Sequence, residues 1–255
     1  MDEEILTGGG VNEVVRVGAT VRRPTGPHSP RVHDLLRRLE GFAGIPRVHS
    51  AAAGVEVLDF LPGQVSNYPL TPAAASVTAL VSAAEFLRRF HDATAGFARE
   101  LPRDGWMFPV ADPVEVVCHG DYAPHNCVLD GERVVALIDF DTARPGPRLT
   151  DLGGAVYRWA QVSDPRNPGV PATQEQAARL ARFCAAYGLD DADRAGLLDA
   201  VIEHLDGLVR HMHEQAAAGV AAFASHIADG HDALYRSDVA HVQANRPLFQ
   251  DAIGG

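Results

Sequence analysis

The stretch VCHGDYAPHNCVLDGERVVALIDFDTARPG, residues 117–146, decides the reading of this chain. It sets Asp121, Asn126, Asp139 and Asp141 around two short apolar runs. CVL (127–129) reads as a strand, Asp130-Gly131 as a favoured two-residue turn, and RVVALID (133–139) as the returning strand. With that turn, Leu129 faces Glu132, paired positions sum to 261, and Asp139 falls opposite Tyr122; a loop two residues longer moves it opposite Pro124. Either register returns Asp139 to the segment between Asp121 and Asn126, where paired Cα atoms lie ~4.5–5.5 Å apart. The run from Val134 to Ile138 is almost wholly apolar, which predicts a strand buried on both faces. A carboxylate at the end of such a strand is costly unless it is paired or bound to a metal. An aspartate and an asparagine carbonyl are hard oxygen ligands of the kind Mg²⁺ takes. Asp121, a loop's width away, can accept a proton from an attacking hydroxyl. The combination points to phosphoryl transfer.

The rest of the chain narrows the choices. Its 255 residues suffice for one large domain or two lobes, and 46% hydrophobic with 22% charged residues is an ordinary globular composition. The formal charge of −11 argues against a nucleic-acid partner. No apolar run is long enough for a membrane helix, and the acidic start MDEEILTGGG is unlike a secretory signal. Three cysteines without a CxxC pair suggest a reducing, cytoplasmic setting. Cys118, His119, His125 and Cys127 match no standard zinc spacing, and the cysteines are expected to pack as small apolar residues. The chain contains no lysine, which excludes a P-loop and Schiff-base chemistry by a side-chain amine. Any phosphate clamp must come from arginine, histidine or backbone N–H groups.

Glycine-punctuated strands are expected over 5–24, and another in GVEVLDFLPGQ (54–64). Between them lies a helix with Ser29 as cap, Pro30 in the first turn, and Val32, Leu35, Leu36 and Leu39 inward. From about residue 61 the chain reads as helical, interrupted by the hairpin. One helix spans TPAAASVTALVSAAEFLRRFHDATAGF (71–97), with Val81, Phe86, Leu87 and Phe90 buried, and a helical tail runs from Asp191 to about Asn245. The expected fold class is α+β: a small β-rich lobe at 1–60 and a larger helical lobe at 61–255 that carries the hairpin. Acidic residues along the tail, among them Asp199, Glu203 and Asp206, would suit an amine-bearing ligand, although a solvated helix face is the better account of most of them.

The motifs resemble those of the aminoglycoside phosphotransferase-like branch of the protein-kinase-like fold. His119-Gly120-Asp121 with Asn126 is similar to that family's H-G-D-x-x-x-x-N loop, and Ile138-Asp139-Phe140-Asp141 to its I-D-[FW]-[DE] element. The resemblance implies an ATP- and Mg²⁺-dependent kinase that phosphorylates a hydroxyl of a small molecule. Asp121 would be the catalytic base, Asn126 and Asp139 the metal ligands, and His119 a structural support. Asp141 would bind a second metal or brace the loop, and Asp151 would brace the loop or cap a helix. The adenine would lie against the backbone at Asp59, Phe60 and Leu61, and the glycine cluster with Gly9 and Gly10 would fold over the phosphates. The family's strand lysine and helix glutamate are missing. Arg22 falls at the lysine position with Arg23 as the next candidate, and His33 at the glutamate position with Asp34 beside it. That ion pair is therefore either rebuilt or absent. A nucleotide-binding pseudokinase and a metal-dependent phosphohydrolase are the alternative functions.

Overall fold

The computed structural model describes residues 3–6 and 14–254. They fall into two compact units, Met1–Arg148 and Leu149–Gly255. In the first, five short strands form an antiparallel sheet: β1 (Glu3–Leu6), β2 (Val14–Val17), β3 (Thr20–Pro24), β4 (Val48–Ala52) and β5 (Val55–Asp59). The spatial order is β1-β2-β3-β5-β4. Between β3 and β4, α1 (Ser29–Arg38) buries Val32, Leu35 and Leu36, and Leu39 follows them into the core. Pro30 sits in its first turn, where no backbone N–H is needed. The Ser29 hydroxyl accepts from Gly26 N at 2.9 Å, so Ser29 closes the preceding turn while His28 holds the cap position.

The segment expected as one helix over 71–97 is two. Thr71 caps α2 (Pro72–Ala75) and Ser76 caps α3 (Val77–Ala95), each side chain accepting from a first-turn N–H. Ser76 adopts extended dihedrals to do so, which breaks the helix there. The long helix α3 is the spine of this unit. Phe86, Leu87 and Phe90 are fully buried, each contributing about 1.5–3 kcal/mol. Val81 is only half-buried. The helix also offers polar anchors: the Ser82 hydroxyl accepts from Val134 N at 3.0 Å, Ala83 O accepts from the Tyr122 hydroxyl at 2.8 Å, and the Thr94 hydroxyl accepts from Val117 N at 3.1 Å. Three points of the 117–134 segment are thereby tied to one rigid element.

The hairpin comprises β7 (Cys127–Asp130) and β8 (Arg133–Leu137), while β6 (Val116–Cys118) pairs with β9 (Arg144–Gly146). Its register differs from the one expected. Asp130 pairs with Arg133, so the two loop residues are Gly131 and Glu132, and Leu129 faces Val134. A bulge between Val128 and Leu129 then shifts the pairing so that Cys127 meets Leu137. The bulge coincides with a bridge from Gln64, whose backbone exchanges hydrogen bonds with Leu129 at 2.9 and 2.7 Å. Nor is the return strand buried on both faces. Burial alternates only over Arg133–Ala136, with Val135 at 41% exposure, while the neighbours Ala136 and Leu137 are both buried at the end of the strand. Cys118, Cys127 and Cys184 are all buried, as expected of small apolar residues.

The second unit is helical: α4 (Arg148–Trp159), α5 (Thr173–Tyr187), α6 (Asp191–Ala217), α7 (Ala221–Ala228), α8 (His231–Ala244) and α9 (Arg246–Gly254). The helical tail thus continues past Asn245. α4 starts before Asp151, so Asp151 lies inside its first turn and is not its cap; Glu115 takes the N–H of Arg148 at 2.9 Å. Gly153 lets α4 meet α6 backbone to backbone, since a Cβ there would lie 2.5 Å from Ala200 O. Asp238 of α8 is fully buried, and its carboxylate accepts from the Tyr157 hydroxyl and Asp164 N, both at 2.7 Å, and from Asn167 Nδ2 at 3.2 Å. Burial pushes its pKa above the usual carboxylate value despite those donors. No helix among the described residues is long and apolar enough to cross a membrane.

Candidate active site

The loop after β6 and the end of β8 are stitched together through His119, which is fully buried. Its Nε2 donates to Ile138 O at 3.0 Å, which leaves Nδ1 to accept from Asp121 N at 3.4 Å. Its ring meets Phe140 edge to face at 4.9 Å between centroids. The Thr142 hydroxyl donates to His119 O at 2.8 Å. Gly120 holds φ at +83°, and a Cβ there would lie 2.6 Å from Thr142 O, so this position requires glycine. Ile138 N donates to Asn126 O at 2.9 Å. One residue beyond that bond, Asp139 turns out of the strand into the left-handed region at φ +61°, with its side chain half exposed.

Asp121 is 40% exposed and its carboxylate is oriented from two sides. Asn126 Nδ2 donates to Asp121 Oδ2 and to Asp121 O, both at 2.9 Å, and His125 Nε2 lies 3.2 Å from Oδ2. His125 in turn meets the exposed Tyr68 ring edge to face at 6.3 Å. Asn126 is buried, and because its amide nitrogen is committed to Asp121, its carbonyl oxygen is the atom left for a ligand.

For the missing strand lysine the expectation falls on Arg22. That side chain is half exposed and reaches Glu3 at 3.9 Å. Its neighbour Arg23, on the opposite face of β3, reaches the hairpin. Arg23 NH1 donates to Asp139 Oδ1 at 2.9 Å, NH2 to Asp141 Oδ1 at 2.5 Å, and Nε to Glu56. Glu56 lies across the ladder from Arg23 on β5, is 1% exposed, and bonds through its other oxygen to the buried His33 of α1. The ion pair is thus rebuilt, with the strand acid Glu56 standing between the arginine and the helix histidine. Burial disfavours the charge on Arg23, but Asp141, Asp139 and Glu56 outweigh it and hold the guanidinium well above its ordinary pKa. His28 Nε2 lies 3.5 Å from Asp141.

Glu56 escaped the sequence reading, though a signal was present. In GVEVLDF it is in phase with Leu58, and the two are buried on the same face of β5. A carboxylate on the apolar phase of a strand implies a buried partner.

Gly9 and Gly10 fall outside the described residues. The Asp59 carboxylate is engaged by His49 at 2.7 Å and by Arg47 Nε and N, both at 3.1 Å. Burial pushes its pKa up, but the bonds from His49 and Arg47 together bring it below the usual value. Arg16 stacks on the Phe60 ring at 3.8 Å, and Leu61 is half-buried. Asp151 is buried in α4.

The donors fit Mg²⁺. One guanidinium against the carboxylates of Glu56, Asp139 and Asp141 leaves an excess of two negative charges when His33 is neutral. The ligand atoms are hard oxygens from two carboxylates and one amide, and Mg²⁺ takes few protein ligands. Among the described residues no group of three or more His, Cys, Asp or Glu side chains is arranged to cage a metal, so phosphate and water oxygens would complete the shell.

The sequence and the fold have counterparts in known proteins. A profile described as "Phosphotransferase enzyme family" (APH) matches residues 107–198, which include the whole loop and hairpin. The trifolitoxin immunity protein of Rhizobium leguminosarum bv. trifolii is 34% identical over 212 residues, 79% of this chain and 80% of that one. The chain belongs to the phosphotransferase enzyme family. A choline/ethanolamine kinase family protein from Mesorhizobium loti superposes with a TM-score of 0.65 at 17% identity, covering 99% of this chain and 92% of that one. APH(2")-IIa in a streptomycin–ATP ternary complex gives 0.56 at 13% identity, covering 88% and 91%. The fold is therefore protein-kinase-like, with an N-terminal β-sheet and a larger helical part.

Proposed function

We propose that this chain transfers the γ-phosphoryl group of ATP to a hydroxyl of a small molecule. The observation that carries the reading is the stitching of the loop to the hairpin. Ile138 bonds to both Asn126 and His119, so Asp139 emerges beside the residue that orients Asp121. Asp121 orients the acceptor hydroxyl and takes its proton as the oxygen attacks, with His125 and Asn126 fixing the carboxylate. Asn126 and Asp139 would hold Mg²⁺, which supplies charge neutralisation at the transferring phosphoryl group. The adenine would lie against the backbone of Asp59–Leu61. In this reading residues 1–60 form the nucleotide lobe, and residues 61–255 carry the loop, the hairpin and the acceptor wall. Solved structures of similar fold include a choline/ethanolamine kinase family protein and an aminoglycoside phosphotransferase, which supports an amino alcohol or amino sugar as acceptor. We take the cytoplasm, where ATP is available, as the compartment.

The test is Asp121→Ala. Turnover of ATP against a panel of amino alcohols and aminoglycosides is expected to vanish, while ATP binding in Mg²⁺ stays within a few-fold of wild type. Full turnover in the variant refutes the assignment.

One observation favours a second reading. Arg23 already pairs with both Asp139 and Asp141, so a nucleotide-binding protein without turnover fits the same cluster. ATP binding with no phosphoryl transfer to any acceptor selects that reading. Phosphate release that no acceptor stimulates would instead select a phosphohydrolase.

A further inference from the structure

We infer that Glu56, clamped by His33, is the positioning residue that sets Arg23 as the phosphate-binding cation of this chain, and that Arg23 exchanges its carboxylate partners for a nucleotide phosphate. The inference rests on the reading of the site as a phosphotransferase site and goes beyond it, because it assigns work to three residues outside the loop and hairpin.

The two ends of the Arg23 guanidinium differ. Its Nε edge bonds to Glu56, which is 1% exposed, in ladder register with it, and held on its other oxygen by His33. Nothing small can enter there. Its NH1 and NH2 edge faces Asp139, half exposed, and Asp141, at 18%. This outer edge is the planar fork that pairs two oxygens of a carboxylate or of a phosphate. The inner bond is therefore permanent and the outer bonds are exchangeable.

Exchange has an electrostatic condition. Pulling Arg23 away from Asp139 and Asp141 leaves two carboxylates side by side without a counter-charge, which is costly at a part-buried site. A divalent cation on those carboxylates removes the cost and frees the fork for the phosphate. Cation and nucleotide thus favour each other's binding, and Arg23 alone competes with the cation. This predicts effects of opposite sign from one substitution, an outcome that general structural damage does not produce.

The experiment measures two affinities by calorimetry on the full chain: Mn²⁺ alone, and ATP in saturating Mg²⁺. In Arg23→Gln, Mn²⁺ alone is expected to bind more tightly and ATP ~10-fold or more weakly. In Glu56→Gln, which keeps the shape of the side chain, ATP is expected to weaken and its KM to rise with kcat much less affected. Arg23→Lys, which keeps a cation and so protects the fold, is expected to fall between wild type and Arg23→Gln for ATP. Unchanged ATP affinity in folded Arg23→Gln or in Arg23→Lys overturns the inference, as does Mn²⁺ binding that weakens together with ATP. Wild type that binds ATP but transfers to no acceptor refutes the phosphotransferase reading and leaves the Arg23 comparison to decide this one. Wild type that binds no ATP in Mg²⁺ overturns both.

Discussion

Replacing His119 by phenylalanine separates the architecture of the site from its chemistry. Phenylalanine preserves the ring and its edge-to-face contact with Phe140, and removes the hydrogen bonds to Ile138 O and from Asp121 N. Ile138 O loses a buried donor, which costs about 1–3 kcal/mol. Asp121 N loses a 3.4 Å bond next to a carboxylate that is 40% exposed, where water can substitute, so that loss is about a few tenths of a kcal/mol. The sum is about 2 kcal/mol, or about 4–8 °C in Tm for a chain of this size. That is a fraction of the 5–15 kcal/mol typical of domains, so the variant stays folded at 25 °C. Transfer should suffer more than stability, because His119 is the side chain that bonds both the Asp121 backbone and the residue before Asp139. A relative displacement of about 1 Å between the two carboxylates costs roughly 100-fold in rate. Thermal unfolding followed by circular dichroism gives the first quantity, and ATP turnover with a productive acceptor the second. A variant that melts within about 1 °C of wild type and turns over at the wild-type rate refutes the stitching argument.

Two further outcomes follow from the geometry. Gly120→Ala places a Cβ 2.6 Å from Thr142 O at φ +83°; a loss of at least about 2 kcal/mol in urea unfolding is expected, and a neutral result would show that the loop relaxes freely. Asp238→Asn addresses pH. Because burial raises the folded-state pKa of Asp238, the folded protein keeps that proton where the unfolded chain has lost it, so wild type loses stability as pH rises from the ordinary carboxylate value to the raised one. The difference between wild type and Asp238→Asn should shift toward the variant across that window, and urea midpoints at several pH values that keep a constant difference would contradict the assigned cause.

Much of the site was legible in the sequence because its spacing is local. The loop from His119 to Asn126 and the return at Asp139 lie within about twenty residues, and the apolar phase of α1 and α3 follows from periodicity alone. What escaped was phase and register. TVRRP offers two consecutive arginines, and a period of two cannot say which faces inward until the ladder to β5 is known; pairing of Arg23 with Glu56 and of Val21 with Leu58 settles it. The hairpin turn sits one residue later than expected, and the pairing shifts again where Gln64, distant in sequence, bridges to Leu129 at the bulge. The break at Ser76 was within reach, since serine four residues into an alanine-rich run is a capping residue, but the alanines on both sides masked it.

A nucleotide site in a chain without lysine is invisible to a common way of finding such sites. Reagents that carry a nucleotide to its pocket and then acylate a nearby amine meet no side-chain amine anywhere in this sequence. Surveys of cell extracts by that chemistry will pass over it, and over any relative that made the same replacement, whatever their activity. Dicarbonyl reagents directed at arginine, with the nucleotide as protectant, are the chemistry suited to it.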